Sequence, residues 1–179
     1  MSQIATNYAQ ALYDLAKEEN LTETVLQQLT ALQQAFAEEP GFLRLMMAAN
    51  LAKEERCRIL DDSFRGKVEP YVLNFMKILT EKGYMRSFAD CAKAYRDFYN
   101  ADHGILQVKA VTAVALTDDQ KVRLTGKLEK LTGKSIDLQC RVDPTVMGGV
   151  RLDYDGKRVD GTVQTRLDTV SKMLKNTVL

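Results

Sequence analysis

One histidine and three cysteines in 179 residues remove much of the usual chemistry at the outset. His103 has no Glu-x-x-His partner and no second histidine at ligand spacing, so a histidine-based zinc site is excluded. Ser2, Ser63, Ser87, Ser135 and Ser171 have no Gly-x-Ser-x-Gly context, and one histidine leaves little for a hydrolase triad; His103 reads as a helix-end residue. Cys57, Cys91 and Cys140 are single, widely spaced and odd in number, which fits buried, inert, reduced thiols and not a disulfide framework. No apolar run approaches the ~20 residues of a spanning helix, and Met1-Ser2-Gln3-Ile4 opens no basic-then-apolar export signal. Surplus charge is lacking too. Lys plus Arg is 25 against 24 for Asp plus Glu, so no general field draws in nucleic acid or an anionic membrane. The phosphate loop Gly-x-x-x-x-Gly-Lys-Ser/Thr is missing, and Gly148-Gly149 opens a strand instead of a helix, which leaves a phosphate without a helix terminus to bind.

What is present is helical periodicity. From Ile4 to Glu19 an apolar side carries Ile4, Tyr8, Ala11, Leu12 and Leu15, extended by Ala5, Ala9, Tyr13 and Ala16, with Thr6, Gln10, Asp14 and Lys17 facing away. That arc is wider than the ~100° stripe a surface helix presents to one core. Its alanine flank lets another helix approach closely. Thr22-Glu23-Thr24 opens a second helix carrying Val25, Leu26, Leu29, Leu32 and Phe36, which Pro40-Gly41 breaks. A short third segment, Phe42 to Ala49, precedes Asn50, a candidate cap for a fourth helix that carries Ile59 and Leu60 and ends near Gly66. Its Lys53-Glu54-Glu55-Arg56-Arg58 cluster reads as a solvated face. Glu69-Pro70 starts a fifth helix, with proline in the first turn, and Val68, Tyr71, Val72, Phe75, Met76, Ile78 and Leu79 give a second wide apolar arc before Lys82-Gly83. A sixth runs from Met85 to Asp102. Six helices joined by short loops predict an antiparallel bundle over residues 1–104.

At His103-Gly104 the period changes. Leu106, Val108 and Ala110 alternate with Gln107 and Lys109 as a strand. Thr117-Asp118-Asp119-Gln120 reads as a capping box opening a helix, with Leu124, Leu128 and Leu131 inward and Gly133 at its end. Ile136, Leu138, Cys140 and Val142 then alternate as a second strand, and a right-handed crossover makes the two strands parallel if they are neighbours. Met147-Gly148-Gly149-Val150 re-enters the sheet where a Cβ would obstruct. Asp155-Gly156, between Tyr154 and Lys157, is the pair that a two-residue type I′ hairpin needs. Asp160-Gly161-Thr162 ends the pairing, and Val163, Leu167, Val170 and Leu174 recur on one helical face. Asp153, Asp155 and Asp160 read as solvent-facing or turn residues, and Arg151, Lys157 and Arg158 as a solvated basic hairpin. The fold class is therefore α+β overall: the helical bundle, then residues 105–179 as a small α/β domain with a few-stranded mixed sheet and two helices.

The absence of a site, with two helices whose apolar faces exceed what one bundle consumes, points to a binding module. Two patterns give it a family. Ile136-x-Leu138-x-x-x-Val142-Asp143-x-x-Val146-x-Gly148-Gly149-Val150-x-Leu152, followed by Val159-Asp160-Gly161-Thr162 and Arg166-Leu167, resembles the C-terminal signature of the delta subunit of rotary ATP synthases. The mitochondrial counterpart is the oligomycin-sensitivity-conferring protein. Tyr8-Ala9-x-Ala11-Leu12-Tyr13-x-Leu15-Ala16 resembles the first helix of that family, and the resemblance runs from residue 4 to about residue 174.

That resemblance implies a non-catalytic stator subunit of a proton-translocating ATP synthase, with no cofactor and no metal. It implies that residues 1–104 grip an N-terminal helix of the alpha subunit in a groove between helices one and five, and that residues 105–179 hold the peripheral stalk formed by subunit b. By that analogy the expected partner-binding residues are Tyr8, Ala9, Leu12 and Ala16 with Val72, Phe75, Met76 and Leu79, as a mixture of groove lining and core. Asp143, Gly148, Gly149, Asp160, Gly161, Arg166 and Leu167 are expected as structural determinants of the C-terminal domain. No nucleic acid is expected as a partner. The expected location is the cytoplasmic side of a bacterial cell membrane, peripheral and reached only through partners. The alternatives are a helical adaptor unrelated to ATP synthase and, from another class, a small transferase using the α/β domain.

Overall fold

The computed structural model describes residues 3–48, 50–146, 148–154 and 156–161. The chain divides into two compact units, with the division between Tyr99 and Asn100. Together they combine seven α-helices with a small four-stranded mixed sheet, an α+β fold, among the described residues.

The first unit holds α1 (Gln3–Glu18), α2 (Thr22–Glu38), α3 (Pro40–Met46), α4 (Lys53–Phe64), α5 (Pro70–Glu81) and all but the last residues of α6 (Phe88–Asp102), with a 3₁₀ turn over Met85–Ser87 leading into α6. Pro40 and Pro70 begin their helices, where the missing N–H has no intrahelical partner to lose. The core is continuous across these helices. Leu12 and Ala16 of α1, Leu29 and Phe36 of α2, Met76 and Leu79 of α5 and Tyr95 of α6 belong to one buried cluster. Phe36 stacks on Phe42 at 5.4 Å and meets Phe88 edge-on at 5.1 Å, while Tyr13 meets Tyr95 edge-on at 5.3 Å. Such ring pairs add about 0.5–1.5 kcal/mol beyond the area they bury. The Tyr95 hydroxyl donates to the Thr22 carbonyl at 3.0 Å, and the Gln28 side-chain oxygen accepts from the Glu69 N–H at 2.8 Å. The second satisfies a backbone N–H at the start of α5, where the helix itself offers no partner.

Several expectations for this unit need correction. Asn50 does not cap α4, whose N-cap is Ala52. Arg56 does not lie on a solvated face: it is buried, and its Nη1 donates to the Met46 carbonyl at 2.8 Å. Of the thiols, Cys91 is buried, but Cys57 is half-buried and Cys140, in the second unit, is exposed. On α1 the core face is Ala5, Ala9, Leu12, Tyr13 and Ala16, while Ile4, Ala11 and Leu15 are exposed. The alanine flank packs inward because small side chains let the neighbouring helices come close.

The second unit builds a sheet of order β2-β1-β3-β4 from β1 (Ile105–Thr112), β2 (Ser135–Val142), β3 (Val150–Tyr154) and β4 (Lys157–Asp160), with α7 (Asp118–Thr132) between β1 and β2. β1 and β2 are parallel, with Val108 opposite Leu138, and the other two pairings are antiparallel. The lengths match: α7 returns the chain by ~22 Å at ~1.5 Å per residue, close to the ~26 Å of an eight-residue strand. Thr117 and Gln120 form the reciprocal capping box, and Gly133 ends the helix in the left-handed region. Leu106 and Val108 pack with Ile136, Leu138, Leu152 and Tyr154 beneath Leu124 and Leu128. Leu131, expected inward, is 82% exposed; it falls one helical turn past the end of the strip that meets the sheet. Tyr154 pairs with Lys157 across the short loop, and Gly156 there has φ +69°, as the hairpin requires. The helix expected over 163–174 lies outside the described residues, as do Asp155, Arg166 and Leu167.

Candidate functional site

The eight residues expected along α1 and α5 are brought together, but seven of them are interior: Ala9, Leu12, Ala16, Val72, Phe75, Met76 and Leu79 are all buried, and only Tyr8 is half-exposed. A charge at any of the seven would be placed inside the core. The accessible apolar surface lies one step around each helix. On α1 it is Ile4, Tyr8, Ala11 and Leu15, spaced i, i+4, i+7, i+11, and Ile4 and Leu15 are 38% and 36% exposed. On α5 it is Tyr71 and Ile78, spaced i, i+7, with Ile78 44% exposed.

Two contacts establish that these edges face one another. The Glu19 carboxylate, just past α1, sits beside the Tyr71 hydroxyl in the first turn of α5; its negative charge, then burial, then a hydrogen bond to it push that phenol above its ordinary range. At the other end the Tyr8 ring lies 6.0 Å from that of Tyr84, just beyond α5. The helices therefore run antiparallel, with core residues at the floor of their seam and Ile4, Tyr8, Leu15, Tyr71 and Ile78 along its rims. Two rows of apolar groups at helical spacing flanking one seam are what an amphipathic helix needs in order to dock. The expectation took the inner row because projection gives the width of an apolar arc and not its inward direction. The alanines were the available signal for that direction.

Of the expected structural determinants, Asp143, Gly148 and Gly149 lie in the β2–β3 connection, and Asp160 and Gly161 lie at the end of β4. The Asp143 carboxylate accepts from the Thr145 hydroxyl at 2.6 Å and the Thr145 N–H at 3.0 Å. The hydroxyl bond first, then the N–H bond, keep that carboxyl below its ordinary range. The Asp143 N–H donates to the Thr112 carbonyl at 2.9 Å, so the loop starts in register with β1. Gly148 and Gly149 follow with φ of +70° and +86°, angles that cost an L side chain ~1–2 kcal/mol. The Gly161 N–H donates to the Val150 carbonyl at 3.1 Å, and a Cβ there would lie 3.2 Å from that same oxygen. Asp160 is paired with Arg151 in the β3–β4 register.

The hairpin is less basic than its sequence suggests. Asp153, half-buried, takes Arg158 at 2.7 Å and lies 3.8 Å from Arg151. Among the described residues no group of His, Cys, Asp and Glu is arranged to hold a metal, and no helix is long and apolar enough to cross a membrane.

Comparison with known proteins is consistent along the whole chain. The family model described as ATP synthase delta (OSCP) subunit matches residues 4–174. The ATP synthase subunit delta of Alkaliphilus oremlandii is 32% identical over 171 residues, covering 96% of this chain and 95% of that protein. The ATP synthase subunit delta of Lacticaseibacillus casei is 33% identical over 172 residues, covering 96% and 94%. Among solved structures, a chain of the Toxoplasma gondii mitochondrial ATP synthase hexamer aligns with a TM-score of 0.73 at 18% identity, covering 97% of this chain and 98% of that one; that likeness is one of fold.

Proposed function

Since the chain belongs to the ATP synthase delta (OSCP) subunit family, we propose that it works as the stator link between the catalytic head and the peripheral stalk. It is a non-catalytic subunit, and it contributes to ATP synthesis and ion transport as part of the complex. Family membership removes the unrelated adaptor and the transferase.

In this reading residues 1–104 form a six-helix antiparallel bundle. An N-terminal helix of the alpha subunit lies in the seam between α1 and α5. Ile4, Tyr8, Leu15, Tyr71 and Ile78 grip it from the rims, above a floor formed by Leu12, Phe75 and Leu79. The observation that carries this is the pair of exposed apolar rows along an antiparallel seam whose two ends are fixed by Glu19–Tyr71 and Tyr8–Tyr84. Residues 105–179 hold subunit b of the stalk. The chain sits on the cytoplasmic side of a bacterial cell membrane and reaches it only through these partners.

The physical demand is on dissociation, not turnover. Rotor torque pulls on the link continually, so the useful quantity is a slow off-rate, which is where interface quality mostly acts. A helix laid in an apolar seam supplies it through anchors one turn apart that fix register. Stable interfaces bury about 1,200–2,000 Å² in total.

The test is calorimetric titration of the full chain with a synthetic peptide of the alpha subunit's first ~20 residues, long enough for an interface helix. Saturable one-to-one binding with a negative heat-capacity change supports the seam, because that change marks apolar burial. No heat, together with no competition against the intact head, rules the seam out.

A further inference from the structure

The two edges of the sheet differ. β4, at one edge, has four residues and carries Lys157 and Arg158, the shortness and the charge that keep an edge from pairing further. β2, at the other, has eight residues, pairs with β1 along its whole length without a bulge, and contains neither proline nor lysine. Among the described residues no strand pairs with its outer side. Backbone direction decides which of its residues face outward. The Ser135 N–H donates to the Gly104 carbonyl at 3.1 Å and the Asp143 N–H to the Thr112 carbonyl at 2.9 Å, so the odd-numbered residues of β2 turn their backbone groups to β1. Ile136, Leu138, Cys140 and Val142 alternate with them and turn theirs outward. Cys140 and Val142 are exposed although they stand on the apolar side of the sheet, in line with Ile136 and Leu138. Asp137 and Arg141, on the other side, are exposed too, and neither forms an ion pair among the described residues.

We propose that the outer edge of β2 seats the same strand of a second copy of this chain, antiparallel about a two-fold axis at Gln139. Residues whose backbone groups point outward must face one another, so the strands can slide only in steps of two positions. With the axis at Gln139, Asp137 stands opposite Arg141 of the second copy, and Arg141 opposite its Asp137, on the polar side of the sheet. On the apolar side Ile136 stands opposite Val142 and Leu138 opposite Cys140, which covers both exposed positions. Sliding by one step sets Asp137 opposite Asp143; sliding the other way sets it opposite Gln139, with Arg141 facing Ser135. One register is therefore self-complementary, and opposite charges directly across a strand pair stabilise it where like charges repel. The two four-stranded sheets become one, within the usual size of a sheet. The contact is small, and one of under ~1,200 Å² is weak and reversible. The chain is thus expected to be single at about 5 µM and paired at several hundred. This inference is independent of the stator reading.

The test is analytical sedimentation of the full chain from about 5 to 500 µM, the range in which a contact of this size titrates. Arg141→Asp puts two carboxylates opposite each other at both ends of the pairing, and Asp137→Arg puts two guanidinium groups there. Each is expected to weaken self-association at least ~10-fold. Both positions are exposed, so melts at low concentration are expected to match the parent. An equal mixture of the two variants is expected to pair again, because each then meets its opposite, and so is Asp137→Arg combined with Arg141→Asp in one chain. The Cys140 residues of the two copies stand diagonally, ~7–8 Å apart, too far for a disulfide. In a Cys57→Ser background a bismaleimide of about that length is expected to join them, and mild oxidation is not. A chain that stays single at about 500 µM overturns the proposal, as does pairing that both charge variants leave unchanged or a mixture that fails to recover it. Pairing lost in Leu15→Asp but kept in Arg141→Asp moves the contact to the α1 rim and overturns it too. A direct Cys140 disulfide between copies would set Cys140 opposite itself and overturn the register.

Discussion

The Arg56 guanidinium of α4 reaches back ten residues to donate to the Met46 carbonyl at 2.8 Å, closing the C-terminal end of α3 from inside the first unit. At seven residues, α3 is far too short to persist by itself, so its last turn depends on such outside partners. Arg56→Ala is expected to destabilise the chain by about 1.5–3 kcal/mol, the range for a hydrogen bond from a charged donor to a buried group. Arg56→Lys, which keeps charge and stem but not the planar fork, should recover part of it. Urea unfolding of the three proteins measures this; equal midpoints would mean that α3 is closed without Arg56.

Asp61 gives the same unit a pH dependence. Its carboxylate holds Lys77 at 2.6 Å across to α5 and Arg65, the residue that follows α4, at 3.2 Å. The hydrogen bond from Lys77, followed by the one from Arg65, keeps it below the ordinary aspartate range against the opposing effect of burial. A carboxyl depressed in the folded state contributes stability above its unfolded value, and that stability is lost as pH falls through the folded value. Asp61→Asn is therefore expected to lower the urea midpoint at pH 7 and to flatten the acid limb below about pH 4, where an ordinary aspartate titrates. Parallel pH profiles for the two proteins would show that the pair contributes nothing.

These two residues mark the limit of what the sequence disclosed. Helix positions, the strand period, the capping box at Thr117 and the paired glycines before β3 were legible, because each is a local pattern with a local cause. Arg56 was not: it stands in a run of charges, and only the placement of α3 turns one of them inward. The rim of the seam was missed for a related reason. Leu12 and Leu15 look alike in projection, and what separates them is the side on which α2 and α5 approach. Ala5, Ala9 and Ala16 encoded that side through their size. Leu131 misled in the opposite direction: helical period sets it with Leu124 and Leu128, which pack in the core, yet it is exposed.

The cysteines should separate by accessibility. Burial pushes the Cys91 thiol up to about 11, so at pH 8 it is both covered and almost wholly protonated, and only the thiolate reacts. Cys140 is exposed on β2. With a disulfide reagent at pH 8, Cys140 is expected to react fast, Cys57 more slowly, and Cys91 only at the rate at which the first unit opens. Cys140→Ser should remove the fast phase alone; if the fast phase persists, the exposures of the thiols are misassigned.

Two glycine-to-alanine changes should have opposite signs. Gly148 has φ +70°, so Gly148→Ala is expected to cost about 1–2 kcal/mol in backbone strain. Gly126 sits within α7, and a Cβ there meets nothing within 4 Å. Gly126→Ala should stabilise by about 0.5–1 kcal/mol through helix propensity alone. Thermal unfolding of the second unit's signal reads both, and a stabilising Gly148→Ala would overturn the account of the β2–β3 turn.

Leu15 and Ile78 provide the decisive variants for the seam, because they combine accessibility with position on its two rims. Leu12→Asp or Phe75→Asp would bury an unpaired charge and unfold the unit, so loss of binding in them proves nothing about docking. Leu15→Asp and Ile78→Asp alter exposed positions, where stability should stay within about 0.5 kcal/mol of the parent. If a helix of the alpha subunit covers them, each becomes a charge in a desolvated contact and should weaken the peptide by more than ~2 kcal/mol. Rims on opposite sides of one occupant should also be coupled, so the double variant is expected to fall short of or exceed the sum of the singles by ~0.5 kcal/mol or more. Folded variants that bind like the parent would place the alpha-subunit helix elsewhere on the chain. A loss confined to Leu15→Asp would keep it on α1 and remove α5 from the grip.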